Sequence, residues 1–455
     1  MTSQELPLDA VIRGLARGRA LGTVLDVWRP GAWLELDERI RRGYAWRGDG
    51  YPTHRWLATG ARPAVPRGLL GAPAPAEGEL ALALCDSDGR VRAAALPYAA
   101  ERPAVLPLVA IRAADWAAPV REEAHAALAA ALPGAEADAL AVTAPVILRL
   151  SGRLRGGAAA ALLREALRTA PPATVSALLL NRDRPTRRLA LDVAVERRSL
   201  TPTELARIAA YDIDVAVRDR AATAALAAGV PDETLPLLLA ARSGGVRSAG
   251  VTALRKAGRA AEAEPFLHDR SGLVRACARW ALRQDGRDPV ALYRAACADP
   301  ATVPDRAPLG LAECGERGTD LPVLWELTGH ERALVRTSAV AGLRVLDVAD
   351  FARLLPLLDD PAPGVVREAA QALLPWADRL PEEELLRRTG PGRPAHVRVR
   401  ALRLLRDHGS WAYTETAGRL AEDPDPVLRA QVRRALGIEE AGARTPRVPW
   451  WFGRR

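Results

Sequence analysis

The sequence predicts an all-α protein, a right-handed superhelical α-solenoid of about ten to twelve short helical hairpins. Two observations predict this fold: an arginine recurs at a nearly constant spacing, and an apolar, alanine-rich segment follows each copy. Successive copies lie 28 to 34 residues apart, a period at which self-similarity indicates stacked helical repeats. These residues, the anchor arginines, are Arg92, Arg121, Arg155, Arg187, Arg218, Arg247, Arg275, Arg306, Arg336, Arg367, Arg398 and Arg429.

Residues 1–77 precede the repeats and do not follow their period. They contain a cluster of aromatic residues and end in a linker rich in proline, glycine and alanine at 62–78. An open array needs its first apolar face covered, so the segment is predicted to be an N-terminal cap. An aromatic recognition surface for a partner is the alternative. The aromatic residues are Trp28, Trp33, Tyr44, Trp46, Tyr51 and Trp56.

Each repeat, between residues 78 and 440, begins with a leucine-rich stretch, as in Thr234 to Ala241 and Phe351 to Leu358. These stretches are long enough for about two to three turns of helix. A turn rich in proline, glycine and aspartate then leads to the anchor arginine. A repeat is therefore predicted to be two antiparallel helices joined by a short turn.

Six residues before the anchor arginine, the turn often carries an aspartate. An acidic side chain there can cap the following helix, and it can accept hydrogen bonds from the arginine of its own or of the next unit. The second arrangement would join neighbouring repeats in a ladder. The positions are Asp86, Asp115, Asp212, Asp269 and Asp423, with Asn181 as a near match.

The segment after the anchor arginine has small residues at helical spacing. Positions 3, 6 and 7 after the arginine lie on one face of a helix, so they predict a buried stripe that allows close helix approach. Position 3 is small at Ala95, Ala124, Ala190, Ala221, Gly250, Ala278, Ala339, Ala370 and Ala401. Positions 6 and 7 pair a small with a larger residue at Ala127-Leu128, Ala253-Leu254, Ala281-Leu282, Gly342-Leu343 and Ala435-Leu436.

The complete pattern, Asp-turn-Val-Arg-x-x-Ala-x-x-Ala-Leu, resembles the short HEAT repeats, the phycobilisome-lyase-like class. The resemblance covers roughly residues 78–440 and implies an armadillo-like superhelix whose second helices line the concave side. It does not imply the lyase activity, because function depends on a site and no bilin pocket is evident. Two copies fit poorly, since Gly156 and Gly157 follow Arg155 and Pro308 interrupts the segment after Arg306.

The last element is an aromatic and basic tail, residues 441–455. It combines the adjacent aromatic residues Trp450, Trp451 and Phe452 with four arginines. The tail is predicted to fold back over the final repeat, or alternatively to dock as a peptide on a partner or a membrane surface.

The composition limits the classes of function. Lysine plus arginine number 64 against 55 aspartates and glutamates, a formal charge of +9, yet Lys256 is the sole lysine. Because at least twelve arginines occupy the repeat anchor, much of the basic excess is predicted to be structural and does not by itself favour nucleic acid. The abundance of Ala, Arg, Gly and Pro is typical of a bacterium with a GC-rich genome.

The cysteines and the apolar segments indicate a cytoplasmic protein. Cys85, Cys277, Cys297 and Cys314 have no spacing typical of a metal or redox site, which favours buried thiols in a reduced compartment. The N-terminus lacks a signal-peptide pattern, and no uncharged apolar run approaches about 18 residues. We therefore expect neither a membrane span nor a metal or other cofactor.

A candidate partner-binding strip follows from the predicted concave face. Its exposed positions are 1, 4, 5 and 8 after the anchor, which are mostly basic in the C-terminal half and include Glu122, Asp192 and Asp219 earlier. If the strip binds a ligand, an acidic protein segment is the ligand predicted ahead of a phosphate backbone, while the first interpretation of the strip is a helix face that is only solvated. The strip consists of Arg255, Arg279, Trp280, Arg283, Arg344, Arg403, Arg406 and Arg433, with Arg434 beside it.

The sequence contains no nucleotide-binding, zinc-protease or serine-hydrolase motif. It therefore predicts a non-catalytic scaffold or adaptor that binds a protein partner. The alternative is a HEAT-like DNA-binding protein or an alkyl-base DNA glycosylase. In such a glycosylase Trp280 would contact the lesion, and Asp192 or Asp219 would be the carboxylate.

Overall fold

The computed structural model describes residues 7–43, 75–227 and 232–437, and it contains helices and no β-strand among them. Tyr44, Trp46, Tyr51, Trp56, most of the linker and the tail 441–455 lie outside the described residues. By their internal contacts the residues form two compact units, Met1–Ala241 and Arg242–Arg455.

The first unit contains fourteen described α-helices. Its 3₁₀ segments are Pro103–Val105 and Leu132–Gly134. The α-helices are α1 (Leu8–Ala16), α2 (Leu21–Val24), α3 (Pro30–Gly43), α4 (Glu77–Leu84), α5 (Gly89–Ala99), α6 (Leu106–Arg112), α7 (Ala118–Ala131), α8 (Ala137–Leu150), α9 (Gly157–Thr169), α10 (Pro172–Leu179), α11 (Arg184–Glu196), α12 (Pro202–Tyr211), α13 (Val215–Ala227) and α14 (Thr234–Leu239).

The second unit contains twelve described α-helices. Its 3₁₀ segments are Ala260–His268, Leu355–Asp359 and Leu374–Arg379. The α-helices are α15 (Gly244–Lys256), α16 (Gly272–Gln284), α17 (Pro289–Ala298), α18 (Ala307–Ala312), α19 (Arg317–Leu327), α20 (Ala333–Val345), α21 (Phe351–Leu354), α22 (Pro363–Leu373), α23 (Glu382–Arg388), α24 (Ala395–His408), α25 (Ala412–Ala421) and α26 (Pro426–Ala435).

Within each unit, consecutive helices pair as hairpins, and neighbouring hairpins pack on one another. In the first unit the pairs run from α4 with α5 to α12 with α13. The second helices, called B helices below, stack in order, as α5 on α7 and α20 on α22. Contacts restricted to neighbouring repeats define a solenoid. The predicted all-α solenoid of helical hairpins is therefore confirmed, while its handedness stays a prediction.

The small-residue stripe is buried as predicted. Every position 3 residue is buried, from Ala95 to Ala401. At position 6 of α20, a Cβ on Gly342 would lie 3.1 Å from Cβ of Ala312 and 3.3 Å from the carbonyl oxygen of Pro308. A larger residue there would push α20 away from α18, which explains why the position is small. The last copy differs, because Ala435 is exposed at the end of α26.

Helices α1 to α3 pack against the first hairpins. Helices α1 and α2 contact α4, while α3 contacts α6 and α8. Trp33 is buried and its indole N–H donates to the carbonyl oxygen of Val27 at 2.9 Å, whereas Trp28 is exposed. Arg41 of α3 also forms an ion pair with Asp115 at 2.7 Å. The described part of the N-terminal segment thus adds helices to one end of the array.

Two of the twelve predicted anchors are wrong. Arg155 is exposed in the turn before α9, because Gly156 packs directly under the last turn of α8 and shifts the helix start. Arg306 precedes α18 as its N-cap instead of lying inside the helix. Pro308 does not interrupt that helix, since it stands in the first turn, where a proline breaks no backbone hydrogen bond.

Candidate functional site

Arg92 shows what an anchor arginine does. Its Nη1 donates to the carbonyl oxygens of Asp86 and Ser87, at 2.8 and 3.0 Å, which ties the arginine to the turn of its own hairpin. Nε and Nη2 donate to the two carboxylate oxygens of Asp115 in the next hairpin, both at 3.0 Å. Arg92 is fully buried. One guanidinium therefore holds two successive turns together through a fork that lysine cannot form.

The same connection recurs in both units and forms an internal ladder. The predicted direction was wrong: each carboxylate accepts from the arginine of the preceding hairpin, because the long side chain extends forward beyond its own turn. The pairs, with their closest distances, are Arg187 with Asp212 at 3.1 Å, Arg247 with Asp269 at 2.7 Å and Arg336 with Asp360 at 2.9 Å, and Arg398 pairs with Asp423.

The aspartate six residues before the anchor is not the helix cap. The carboxylate of Asp86 accepts from the N–H of Asp88 at 2.7 Å, which closes an Asx turn, and Asp88 then caps α5 by accepting from the N–H of Arg90. Before α26, Asp423 likewise closes the turn by accepting from the N–H of Asp425, and Asp425 caps the helix. The turn residue thus shapes the turn and accepts the arginine, and a second residue caps the helix.

Where the preceding hairpin has no anchor, the turn residue is not a carboxylate. Asn181 keeps the Asx turn by accepting from the N–H of Asp183 at 2.8 Å, while its Nδ2 donates to the carbonyl oxygen of Ala141 at 2.8 Å. Because Arg155 is exposed instead of anchored, an amide that can donate replaces the carboxylate. A local sequence change therefore compensates for the irregular copy.

After the second irregular copy, at Arg306, the corresponding turn position is occupied by His330. Its Nδ1 accepts from the N–H of Arg332 at 2.9 Å, and its Nε2 lies 2.7 Å from the carbonyl oxygen of Pro300. These contacts assign the neutral tautomer with the proton on Nε2. The carbonyl oxygen of His330 still accepts from Arg336 at 2.8 Å. A buried neutral imidazole thus mimics the aspartate turn.

Arg275 reaches a partner that the repeat pattern did not predict. Its Nη2 and Nε donate to Glu313, which follows the short helix α18. Arg279 donates to the same carboxylate at 2.6 Å. The residue six before Arg306 is Pro300, so the regular acceptor is absent and a glutamate 38 residues after Arg275 replaces it.

Four other anchors pair with no carboxylate of a following turn among the described residues. Arg121 and Arg218 donate to the carbonyl oxygens of Asp115 and Asp212, at 3.0 and 3.2 Å. Arg429 donates to the carbonyl oxygen of Asp423 at 2.5 Å. Arg367 turns instead to Glu368, its neighbour in sequence, at 3.2 Å. These anchors hold their own turn or helix without extending the ladder.

The ladder accounts for several arginines, and the predicted strip contains others. Its most distinctive part is the Trp280 focus, defined as Arg255, Trp280 and Arg283. The guanidinium carbon of Arg255 lies 5.2 Å from the ring centroid of Trp280, a cation–π contact between α15 and α16. Trp280 is 40% exposed, and Arg283 is exposed one turn further along. Within the described ranges Arg283 has no ion-pair partner.

Other strip residues are partly neutralised. Arg279 is largely buried against Glu313, which removes it from the exposed strip. Arg344 pairs with Glu368 at 3.2 Å, and Arg406 pairs with its neighbour Asp407 at 2.8 Å.

The remaining strip residues lie on the last B helices. Arg403 is exposed on α24, and Arg433 and Arg434 lie on α26, where Arg434 is exposed and Arg433 is half-buried. The strip on α15 to α26 is therefore a set of separate basic side chains and not a continuous row of free charges.

The first unit carries the mixed charge predicted for the earlier B helices. Asp192 of α11 lies between Arg220 of α13, at 2.7 Å, and Arg164 of α9, at 3.6 Å. Burial raises the pKa of Asp192, against the lowering effect of both arginines. Asp219 and Glu122 are exposed on their helices. Since Asp192 belongs to a cross-helix ion-pair network, its raised pKa has a structural explanation.

No group of three or more histidine, cysteine, aspartate or glutamate side chains could hold a metal ion among residues 7–43, 75–227 and 232–437. Cys85 and Cys297 are buried, Cys277 and Cys314 are half-buried, and all four thiols are free. Burial raises the pKa of Cys297 to about 12, so this thiol stays protonated. Within the same ranges, no helix combines the length and apolar character needed to cross a membrane.

No model of a known protein family matches the sequence, and no curated protein matches it. Among solved structures, the karyopherin Kap121p bound to the SUMO protease Ulp1p is 13% identical with a TM-score of 0.31, covering 76% of this chain and 47% of its own. Kap121p bound to RanGTP is 13% identical with a TM-score of 0.29, and the match covers 79% of this chain and 48% of that one.

A third solved structure comes from work on tubulin recruitment and assembly by microtubule polymerases with TOG domain arrays. It is 12% identical with a TM-score of 0.23, and the match covers 91% of this chain and 98% of that one. The present chain spans about half the length of the karyopherin chains it matches. At these TM-scores the likeness assigns neither a family nor a partner to this chain.

Proposed function

We propose that this protein is a non-catalytic scaffold or adaptor that binds a protein partner along its B helices. The Trp280 focus is the observation that carries the proposal. Position 5 after the anchor holds Thr252 in α15 and Ala341 in α20, so packing of the array does not require an indole there. Tryptophan and arginine dominate the binding energy of protein interfaces, and an exposed tryptophan already stacked on an arginine needs little further ordering.

The distribution of charge also favours a protein partner over duplex DNA. Six anchor arginines already pair with a carboxylate of a following hairpin and are not available to a ligand. Binding to duplex DNA uses many phosphate contacts along a continuous basic surface. The B helices of the second unit instead alternate free arginines with Glu313 and Glu368, which suits a partner that carries acidic and apolar groups at particular points.

The test is affinity purification with the full chain as bait, comparing the wild type with a Trp280→Ala/Arg283→Glu variant. Trp411→Ala is the matched control, because Trp411 is 82% exposed and lies outside the focus. A specific partner retained by the wild type and the control, and lost with the double variant, is the expected result. Direct binding between that purified partner and the chain then gives the affinity.

Two further measurements test the alternative functions. Salt-sensitive retention on duplex DNA that weakens in the Arg283→Glu background would favour a nucleic-acid function over the scaffold. Release of an alkylated base that is lost with Asp192→Asn would show an enzyme. Either result would overturn the proposal.

We further propose that the repeats belong to the short HEAT class and that the protein acts in the cytoplasm. Support for the class comes from the period, the Asx turn before the B helix, the Val-Arg pair and the buried small residue at position 3. Immunoblotting of the soluble and membrane fractions of lysed cells with an antibody against the chain would test the compartment.

A further inference from the structure

A second concentration of charge lies on α20, α22 and α24, around a single buried carboxylate. Glu368 of α22 accepts from Arg344 of α20 and from its neighbour Arg367, with closest distances of 3.2 Å in each case. Arg400 and Arg403 lie one turn apart on α24, the B helix that packs on α22. We call these five residues the Glu368 cluster.

The Glu368 cluster carries more positive than negative charge. Arg344 and Arg367 pair with Glu368, and Arg400 and Arg403 add two more guanidinium groups, so the five residues carry a surplus of three positive charges. Within the part of the chain that the structure describes, neither Arg400 nor Arg403 has an ion-pair partner. Burial lowers the pKa of the half-buried Arg400, and the neighbouring charges of Arg403 and Arg367 lower it further. A half-buried guanidinium group that has no ion-pair partner and lies among other guanidinium groups is stabilised by an anion that pairs with it.

We propose that the Glu368 cluster is the docking point for an acidic segment of the protein partner, with carboxylates inserting between Arg344 on one side and Arg400 and Arg403 on the other. The inference rests on the proposed scaffold function and specifies the chemistry of its ligand. Guanidinium groups bind carboxylates through paired hydrogen bonds, and α20 and α24 present them from opposite sides of α22.

The local charge pattern favours a short acidic peptide over a nucleic acid. Glu368 occupies the middle of the cluster, where it repels a second anion placed directly over it, so ligands are restricted to the two flanks. A peptide with a few spaced carboxylates fits two flanks, whereas an evenly charged backbone requires arginines along its whole length.

The experiment measures binding of a fluorescein-labelled peptide with four glutamates separated by glycines, by fluorescence anisotropy at low salt, to the full chain. The Arg400→Gln/Arg403→Gln variant should weaken binding by about tenfold or more, since charge-assisted hydrogen bonds are lost. Arg242→Gln/Arg317→Gln is the matched control: it removes the same charge from exposed positions outside the cluster and should change affinity less than about twofold.

A second variant gives an effect of the opposite sign. Glu368→Gln removes the competing carboxylate and raises the surplus from three to four, so the glutamate peptide should bind several-fold more tightly. Circular dichroism and a thermal melt establish that each variant is folded. If Glu368→Gln unfolds the chain, the Arg400→Gln/Arg403→Gln comparison decides alone, because neither residue takes part in the ladder.

Three results would overturn the inference: equal affinities in the cluster variant and its control, equal binding of a glutamine peptide, or tighter binding of a single-stranded or duplex DNA oligonucleotide than of the glutamate peptide. A failure of this inference can be distinguished from a failure of the proposed scaffold function. A partner lost with Trp280→Ala/Arg283→Glu but unaffected by Arg400→Gln/Arg403→Gln would retain the scaffold and reject the cluster.

Discussion

At the scale of single residues, each pairing anchor arginine connects one turn to the next through both ends of its guanidinium fork. Nη1 of Arg247 donates to the carbonyl oxygen of Arg242 at 2.9 Å, while Nε and Nη2 hold the carboxylate of Asp269 at 2.8 and 2.7 Å. Lysine has one ammonium nitrogen and cannot satisfy a turn carbonyl and both carboxylate oxygens from a single buried position.

Arg247→Lys should therefore lower the free energy of unfolding by about 2–4 kcal/mol, because it leaves a partly satisfied carboxylate in a buried site. Arg242→Lys, which changes an exposed side chain, is the control and should change the free energy of unfolding by less than about 0.5 kcal/mol. Urea denaturation followed by circular dichroism measures both. Equal midpoints for the two variants would mean that the fork is not needed.

The ladder also predicts how stability depends on pH. Hydrogen bonding from Arg398 is the largest influence on Asp423 and holds its pKa below the ordinary value. At Asp115 burial acts to raise the pKa, but the hydrogen bonds from Arg92 and from the turn outweigh it, and the pKa is lowered.

The lowered pKa values of these carboxyl groups determine how stability changes with pH. A carboxyl group whose pKa is lower in the folded chain than in the unfolded chain stabilises the fold when ionised, and this stabilisation is lost as the pH falls. At Asp214 the hydrogen bond from Arg188 lowers the pKa to about 2. Thermal melts should give a constant Tm above about pH 5 and a falling Tm between about pH 4 and 2. A Tm that stays unchanged down to pH 2 would contradict the ladder.

At the scale of helices, close packing depends on where glycine is placed. Gly310 of α18 faces Tyr293 of α17, and a Cβ on Gly310 would lie 2.2 to 2.5 Å from atoms of that ring. Tyr293 is itself fixed, because its hydroxyl donates to the carbonyl oxygen of Leu267 at 2.6 Å. The six-residue helix α18 is thus kept in place by a residue without a side chain.

Gly310→Ala should lower the free energy of unfolding by about 1–3 kcal/mol, since either the ring or the helix must move. Gly318→Ala in α19 has open space around its Cβ and should be neutral or slightly stabilising, as alanine favours helix. Thermal melts of the two variants make the comparison. If both substitutions act alike, the close approach of α18 and α17 does not limit stability.

The hairpins and their buried stripe could be predicted from the sequence because they depend on local periodicity. The partners of irregular copies could not. Glu313 replaces the acceptor that Pro300 cannot supply to Arg275, and no repeat position marks that glutamate. Arg400 was missed because it stands at position 2 after the anchor, outside the positions expected to be exposed. The Trp280 focus was partly predictable, since Arg255 and Trp280 were both assigned to the strip but their stacking was not.

At the scale of the whole molecule, the ladder separates structural from available charge. A chain with a formal charge of +9 would be expected to bind polyanions broadly, but many of its arginines already have carboxylate partners between hairpins. The Trp280 focus and the Glu368 cluster, both on B helices of the second unit, contain arginines without an ion-pair partner among the described residues, namely Arg283, Arg400 and Arg403. This division of the charge requires that the ladder pairs contribute to the free energy of folding.

A double-mutant cycle on Arg187 and Asp212 measures such a link directly. Arg187→Met removes the guanidinium, and Asp212→Asn removes the charge while keeping the Asx turn, as Asn181 does naturally. The account predicts a coupling free energy of about 2 kcal/mol or more in urea denaturation, because both side chains are largely buried. Additive effects of the two substitutions, within about 0.5 kcal/mol, would contradict it.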